Sequence, residues 1–197
     1  MIQRLMMAVV LVTQVVLAGY ELVASYDTVE RQVALTLTNV FTIGAFLLVS
    51  RFLRRQFGIT LHWMVLVILA AAVWLDALGN FQHLYGRFWW WDRLTHATGG
   101  LAVTAGVAFV TFAVWNAGRF KISWRVANLY AFCLAQTLGA LYEVSEWVGD
   151  EWFGTHRVGG PFDSPRDLMF NMLGGLIVIV CAAWWRMRHR AVRTDAQ

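Results

Sequence analysis

Two short segments of the sequence place a carboxylate one helical turn ahead of a His or an Asn. Asp92 stands four residues before His96, and Asp167 stands four residues before Asn171. Residues four apart lie on the same face of an α-helix. A carboxylate and an imidazole placed in this way can bind a divalent cation or exchange protons with a substrate. We therefore predict His96 as a metal ligand or general acid/base, with Asp92 and Asp167 as further metal ligands.

A third segment carries two more carboxylates, Glu143 and Glu146, which are three residues apart. Two carboxylates this close in a low dielectric repel each other, so either one holds a proton or both share a cation. We predict both as catalytic residues and Glu143 also as a metal ligand. The alternative is an ion pair with Arg93 or Arg166, which stand at the predicted starts of the neighbouring helices.

A fourth segment repeats the four-residue spacing with Asp76 and Asn80. His83 would continue the same face if the helix extended that far. We predict Asp76, Asn80 and Asn171 as polar residues that support the site.

Simpler roles remain open for the same side chains. Asp92 and Asp167 begin predicted helices, where a carboxylate can cap free backbone N–H groups. His96 could be a hydrogen-bonded packing residue rather than a ligand.

The composition indicates that the elements holding these side chains lie in a membrane. Hydrophobic residues make up 59% of the 197 residues and charged residues only 14%, whereas a soluble domain carries about 25% charged residues. The net charge of +4 does not indicate a nucleic-acid partner, because the basic residues are spread over short loops between apolar runs. That distribution is typical of membrane orientation.

Six apolar runs approach the length of about 20 residues that crosses a bilayer. They cover residues 6–25, 33–50, 60–81, 93–115, 126–148 and 167–187. The first run resembles a secretory signal, but it is long for one, and we interpret it as a span that stays in place. We therefore predict an all-α bundle of six transmembrane helices that forms one integral-membrane domain over residues 1–197.

The basic and aromatic residues orient these spans. With the N-terminus inside, eleven of the sixteen Lys and Arg residues fall in inner segments and five in outer loops. The positive-inside rule then places both termini in the cytoplasm. Ten of the eleven tryptophans fall at span boundaries, as aromatic belts require. The outer group consists of Trp89, Trp90, Trp91, Trp147 and Trp152, which we interpret as interface anchors.

Spans four and six open with related sequences, DRLTHATGGLAV from residue 92 and DLMFNMLGGLIV from residue 167. Each is preceded by a span that ends in acidic and amide residues. We predict a tandem repeat of helical hairpins, formed by spans three and four and by spans five and six, about an axis along the membrane normal. The first hairpin, with Glu21 and Asn39, matches this pattern weakly.

Eleven of the twelve acidic residues lie at or beyond the outer ends of the spans, and Asp195 is the exception. A carboxylate in hydrocarbon is costly, so those on helices must face one another or water. The glycine pairs beneath them allow close approach of helix backbones. We therefore predict that the polar stripes converge in one cluster at the outer face.

The runs WWWDRLTHATGG, YEVSEW and FDSPRDLMFNMLGG resemble the YjdF-like family of bacterial inner-membrane proteins over about residues 70–180. They are also distantly similar to VanZ-like membrane proteins. The resemblance implies a helical membrane fold but names no reaction. It carries over a set of site positions, which adds Asp163 as a metal ligand: Asp92, His96, Glu143, Glu146, Asp163, Asp167 and Asn171.

Three functions compete on the sequence alone. The favoured one is a hydrolase or transferase that uses a divalent metal, of unknown identity, on a lipid or lipid-linked headgroup. The alternatives are an ion-coupled transporter and a non-catalytic subunit of a membrane complex. The expected partners are membrane lipids, with a membrane-protein complex or a homo-oligomer as further partners and no nucleic acid.

Overall fold

The computed structural model of the protein describes residues 2–24, 29–119 and 121–194. Of the acids counted above, Asp27 and Asp195 lie outside these residues. Within the described ranges the chain forms helices and no strand. The helices are α1 (Ile2–Val23), α2 (Val29–Phe57), α3 (Trp63–Phe81), α4 (Leu84–Arg87), α5 (Trp91–Asn116), α6 (Trp124–Phe153) and α7 (Asp163–Thr194).

Five of these helices, namely α1, α2, α3, α5 and α7, are long and apolar enough to cross a membrane. The 30-residue helix α6 is not among them, although it covers the predicted fifth span. The reason lies in its composition, since Asn128, Gln136, Glu143 and Glu146 interrupt its apolar residues.

Large apolar side chains on the outside of the bundle agree with a lipid environment. Phe41 is 76% exposed and Val180 is 63% exposed, although both lie in the middle of long apolar helices. In water such a surface would drive association. Trp89 is also exposed, as expected of an interface anchor, but Trp91 is only 8% exposed. The prediction of an interface anchor was therefore wrong for Trp91, which packs against Gly79 of α3.

Local sequence signals define the helix ends. The Ser123 hydroxyl accepts a hydrogen bond from the Val126 N–H at the start of α6. Gly154 ends that helix in the left-handed conformation, with φ of +66°. Helix α7 begins at Asp163 rather than at the predicted residue 167, and Pro165 lies in its first turn. Proline is tolerated there because the first turn has no intrahelical acceptor for its N–H groups.

These boundaries change the interpretation of three predicted site residues. The N-cap of α5 is Trp90, so Asp92 is the second residue of its helix and not a cap. Asp167 lies one turn inside α7 and is not a cap either. His83 lies beyond the end of α3, is exposed, and has a left-handed backbone with φ of 53°. It therefore does not continue the face that Asp76 and Asn80 share.

Helix α5 occupies the centre of the bundle, where it packs against α3, α6 and, most extensively, α7. Helix α1 packs against α2 and α3. An apolar core fills the end of the bundle where α3 begins and α5 ends, and it contains Phe46, Leu53, Leu61, Val65, Leu66 and Val114. The acidic side chains lie at the opposite end, because Asp76 closes α3 and Asp92 opens α5.

Candidate metal centre

The site is built where α5 crosses α7, and glycines set the distance between the two helices. A methyl group at Gly100 would lie 2.6 Å from the Cα atom and 2.7 Å from the carbonyl carbon of Asn171. A methyl group at Gly174 would lie 2.7 Å from the backbone nitrogen of Leu101. Only glycine permits such close backbone approach. The crossing brings the beginnings of both helices together at the end of the bundle that carries the acidic side chains.

His96 lies at the centre of the polar residues that meet there. Its Nε2 atom is 3.5 Å from Asp92 Oδ1 and 3.6 Å from Asp167 Oδ1, while its Nδ1 atom is 3.4 Å from Glu143 Oε1. The imidazole thus separates two carboxylates on one side from a third on the other. All three distances exceed the usual length of a charge-assisted hydrogen bond, about 2.7–2.9 Å. Space therefore remains between the ring and each carboxylate.

Several of these oxygen atoms are buried without a hydrogen-bond partner of good geometry among the described residues. They are both carboxylate oxygens of Glu143 and the Oδ1 atom of Asp167. Glu143 is 4% exposed and Asp167 is 2% exposed. Polar side chains do lie nearby, namely His96 and Ser164 beside Glu143 and His96 and Asp92 beside Asp167, but a proton or a cation would stabilise these buried oxygen atoms further.

Two groups of side chains could hold a metal ion, and they share His96. One consists of Asp92, His96 and Asp167, and the other of His96, Glu143 and Glu146; the ligand atoms within each group all lie within 4.8 Å of one another. A metal bound tetrahedrally at about 2.0–2.2 Å separates its ligand atoms by about 3.4 Å. The 3.5 and 3.6 Å distances from His96 Nε2 to the two aspartates match that spacing.

Glu146 is already paired with an arginine from the loop between α6 and α7. Arg157 Nη2 lies 2.7 Å from Glu146 Oε1 and donates a 2.5 Å hydrogen bond to the hydroxyl of Tyr142. Burial by itself lowers the pKa of Arg157, but the neighbouring Tyr142 and Glu146 raise it above its usual value, so the guanidinium stays charged. For Glu143 and Glu146, the sequence left open a catalytic or metal-binding role and an ion pair with Arg93 or Arg166. Glu146 forms an ion pair, but its partner is Arg157.

Asp150 holds this loop in place at the C-terminal end of α6. Its Oδ1 accepts hydrogen bonds from the Thr155 hydroxyl and the Arg157 N–H, and its Oδ2 accepts one from the Val158 N–H. Burial raises the pKa of Asp150, but these three hydrogen bonds together outweigh that effect and lower the pKa below its ordinary value. The loop is thus tied back toward the bundle, which brings Arg157 to Glu146.

The supporting residues Asp76 and Asn80 form a separate network. Asp76 Oδ1 accepts hydrogen bonds from the Tyr85 hydroxyl at 2.6 Å and from Asn80 Nδ2 at 3.1 Å. Burial and the charge of Asp76 raise the pKa of Tyr85 well above its usual value, which keeps this phenol a hydrogen-bond donor. Asp76 and Asn80 therefore form a network that connects α3 to Tyr85 of α4, and Asp76 belongs to neither of the two metal-sized groups.

The other predicted residues lie at the edge of the cluster. Asn171 lies between α5 and α6, with its backbone against Gly100 and its amide facing Gly139. Asp163 begins α7, and its Oδ2 accepts a hydrogen bond from the Gly159 N–H at 2.5 Å. Among the described His, Cys, Asp and Glu residues, the structure does not bring Asp163 into a metal-sized group.

Two residues at the site were missed by sequence reasoning. Tyr142 lies one turn before Glu146 on α6, and this spacing could have identified it. Arg157 belongs to a loop with no periodic pattern, and no sequence signal pointed to its partner.

The chain can be compared with known proteins. Residues 3–188 match the family described as "Predicted membrane protein (DUF2238)". The chain belongs to the DUF2238 family. It is also 28% identical over 110 residues to an uncharacterized protein of Thermotoga maritima, a match that covers 55% of this chain and 56% of that protein. No solved structure matches the chain. Membership in DUF2238 agrees with the predicted YjdF-like resemblance and with a multi-pass membrane protein, whereas the VanZ-like resemblance stays a prediction.

Proposed function

We propose that this DUF2238 protein is a metal-dependent hydrolase or transferase that acts on a lipid or lipid-linked headgroup. The observation that carries this proposal is the placement of Asp92 Oδ1 and Asp167 Oδ1 at 3.5 and 3.6 Å from one nitrogen of His96. These distances suit one tetrahedral divalent metal such as zinc. The unpartnered Oδ1 atom of Asp167 then gains the cation that its burial requires.

We assign the metal to the Nε2 side of His96. On the other side, Glu143 Oε1 is 3.4 Å from Nδ1, where it can accept the Nδ1 proton. A carboxylate that holds the second nitrogen of a ligating histidine fixes the ring orientation and its tautomer. Glu146 is a poorer ligand in this arrangement, because Arg157 already neutralises it. Glu143 therefore orients His96, and Asp92 and Asp167 complete the protein ligands.

The exposure of these residues indicates how a substrate would reach the site. The side chain of Asp92 is 36% exposed, whereas that of Asp167 is 3% exposed. The group is therefore open on the Asp92 side and closed on the other sides. A divalent metal at this position would polarise a phosphoryl or acyl oxygen and generate a water nucleophile at neutral pH. The depth of one turn below the helix start suits a headgroup that is still attached to its lipid.

The remaining parts of the proposal concern the membrane. We infer that α6 is a sixth span, that α3–α5 and α6–α7 form a tandem repeat, and that residues 1–197 form one domain. The positive-inside rule supports cytoplasmic termini, and the YjdF-like resemblance supports a location in the bacterial inner membrane. The proposed partners are membrane lipids, with a membrane complex or a homo-oligomer as further assemblies and no nucleic acid.

The metal content of the detergent-purified protein tests the site directly. We expect about one divalent metal per chain by mass spectrometry of the wild type, and a loss of at least about tenfold in affinity in Asp167→Asn. Glu151→Gln is the matched control, since Glu151 is an exposed carboxylate near the same surface. Glu143→Gln is expected to bind metal about 10–100-fold more weakly than the wild type without abolishing binding.

The same variants distinguish the two sides of His96. Loss of metal in Glu143→Gln together with retention in Asp167→Asn would place the metal on the Nδ1 side and overturn our assignment. A wild type that binds no divalent metal after zinc supplementation would refute the catalytic metal altogether. If the metal is present, release of headgroups from lipid vesicles is the activity to measure next.

A further inference from the structure

A cavity that the proposed metal site does not use lies at the opposite end of the bundle from the acidic side chains. It opens where α5 ends, where α6 begins and where the apolar segment of α7 ends. Its volume is about 160 Å³. A cavity of about 150 Å³ holds one benzene molecule, so this one can take a group of roughly six non-hydrogen atoms. Its lining includes three tryptophans, an amide and an arginine, namely Trp115, Trp124, Trp185, Asn116 and Arg186.

Arg186 is the charged residue of this lining, and two tryptophan rings hold its guanidinium group. The guanidinium carbon lies 4.9 Å from the centre of the Trp115 ring and 5.1 Å from the centre of the Trp124 ring. Both distances are within the range of cation–π interactions. Such contacts use the positive charge of the guanidinium rather than its five N–H donors. An arginine held in this way is suited to donate hydrogen bonds to an anion in the cavity.

The two rings are themselves fixed by other contacts. Trp115 Nε1 donates a 2.9 Å hydrogen bond to the carbonyl oxygen of Ile122 in the loop between α5 and α6. Trp124 stacks on Phe112, with ring centres 5.8 Å apart and an angle of 18° between the ring planes. Walls that are already ordered lose little conformational freedom when a ligand binds, and this favours binding.

The charge of the surrounding segments selects an anion. Residues 93–142 and 168–194, which contain these parts of α5, α6 and α7, include no Asp or Glu. Four exposed basic residues lie at this end of the bundle, namely Arg119, Lys121, Arg125 and Arg188. Basic pockets between membrane helices on the cytoplasmic side bind the headgroups of anionic lipids. Tryptophans at the end of a span lie at the depth of those headgroups.

We propose that this cavity binds the phosphate group of an anionic phospholipid in the cytoplasmic leaflet, with Arg186 as the main donor. The cavity borders the lipid-facing surface, where Trp184 and Trp185 are 52% and 61% exposed. Acyl chains can lie against these rings while the phosphate contacts Arg186, which favours a lipid over a soluble phosphate ester. The exposed basic residues favour a headgroup with a net negative charge over a zwitterionic one.

Lipid binding to the detergent-purified full-length protein tests this site. Native mass spectrometry measures the apparent Kd of phosphatidylglycerol, and phosphatidylcholine is the zwitterionic comparison. We expect the wild type to bind phosphatidylglycerol at least about tenfold more tightly than phosphatidylcholine. Arg186→Gln should weaken the binding of phosphatidylglycerol by at least about tenfold, because it removes hydrogen bonds to a charged group.

Arg188→Gln is the matched control. It removes the same charge from the same helix two residues away, but Arg188 is exposed and lies over the ring of Trp184, which does not line the cavity. The loss of phosphatidylglycerol affinity should therefore be less than about fivefold. Arg186→Lys keeps the charge but lacks the planar group that the two rings hold, so it should also bind this lipid more weakly than the wild type. This variant tests the site even if Arg186→Gln does not fold.

The metal content separates this site from the proposed function. Arg186→Gln should retain the divalent metal of the wild type, and Asp167→Asn should retain its affinity for phosphatidylglycerol. The reason is that the cavity and the metal site lie at opposite ends of the bundle.

Three results would overturn the proposal. The first is an equal loss of phosphatidylglycerol affinity in Arg186→Gln and Arg188→Gln, or no loss in either, which would indicate that the cavity binds no headgroup and that Arg186 only joins the helices. The second is equal binding of phosphatidylglycerol and phosphatidylcholine by the wild type. The third is displacement of phosphatidylglycerol by an equal concentration of glycerol phosphate, which would identify a soluble phosphate ester as the ligand.

Discussion

The crossing of α5 and α7 can be tested with two adjacent glycines. Gly100 faces the backbone of Asn171, whereas a methyl group at Gly99 would have no atom within 4 Å. We therefore compare Gly100→Ala with Gly99→Ala. Both changes add the same methyl group to the same helix, one residue apart. Any effect of helix propensity is common to both, and the contact with α7 belongs to Gly100 alone.

The size of the effect follows from the contact distances. The added methyl carbon at Gly100 would lie 2.6 Å from the Cα atom of Asn171, whereas ordinary van der Waals contact begins at 3.4 Å. Because the opposing atoms are backbone, α5 and α7 must separate by about 1 Å, and overpacking of this kind costs about 1–3 kcal/mol. At Gly99 the same change removes backbone freedom from the unfolded chain and stabilises the helix by about 0.5–1 kcal/mol.

Thermal unfolding of the detergent-purified variants measures this difference. For a chain of this length, about 1 kcal/mol shifts the midpoint by roughly 2–4 °C. We expect Gly100→Ala to unfold about 2–12 °C below the wild type, and Gly99→Ala to unfold at or slightly above it. Separation of the helices also widens the 3.6 Å distance between His96 Nε2 and Asp167 Oδ1, so Gly100→Ala should lose bound metal as well. Equal losses of stability in the two variants, or a Gly100→Ala protein as stable as the wild type, would refute this account of the crossing.

Two predictions concern the loop that carries Arg157. Arg157→Gln leaves the buried Glu146 carboxylate without its cation and should destabilise the protein by about 3–5 kcal/mol. Arg157→Gln combined with Glu146→Gln should recover most of that loss. Chemical denaturation in detergent measures both variants, and a double variant as unstable as Arg157→Gln would contradict the ion-pair explanation. Asp150 has a lowered pKa, so the stability it contributes is present above its unfolded value of about 3.9 and is lost as the pH falls through its lower folded value. The Val158 N–H should therefore lose its protection from hydrogen exchange below about pH 4 in the wild type, and already at neutral pH in Asp150→Asn. Protection that survives in Asp150→Asn would show that Asp150 does not hold the loop.

Much of the fold could be predicted because its signals are local. An apolar run of about 20 residues identifies a helix by its own composition, whatever lies beside it. The runs at 93–115 and 60–81 agree with α5 and α3 to within three residues at each end. The start of α7 was placed too late because Ser164 and Pro165 read as loop residues, although proline is favourable in the first turn of a helix.

For the site, too, the features that depend on one helix could be predicted, whereas contacts between helices could not. Helical spacing alone placed His96 beside Asp92, and the repeated motif predicted that Asp167 would join them, as the structure shows. The environment of Trp91 could not be obtained in this way. Its neighbours in the sequence are exposed tryptophans, and only the approach of Gly79 on α3 buries it.

The sequence by itself determined that acidic side chains and His96 occupy one end of a helical bundle, since helix direction and a 3.6-residue period follow from the chain alone. Only the tertiary structure decided which nitrogen of the imidazole faces which carboxylate. That choice depends on the angle and the separation at which α5, α6 and α7 pack. The pairing of Glu146 with Arg157 was decided in the same way, because a loop without periodicity is positioned by tertiary contacts such as those with Asp150 and Tyr142. Properties that depend on one helix can be predicted from its residues, whereas the arrangement of charges between helices depends on packing.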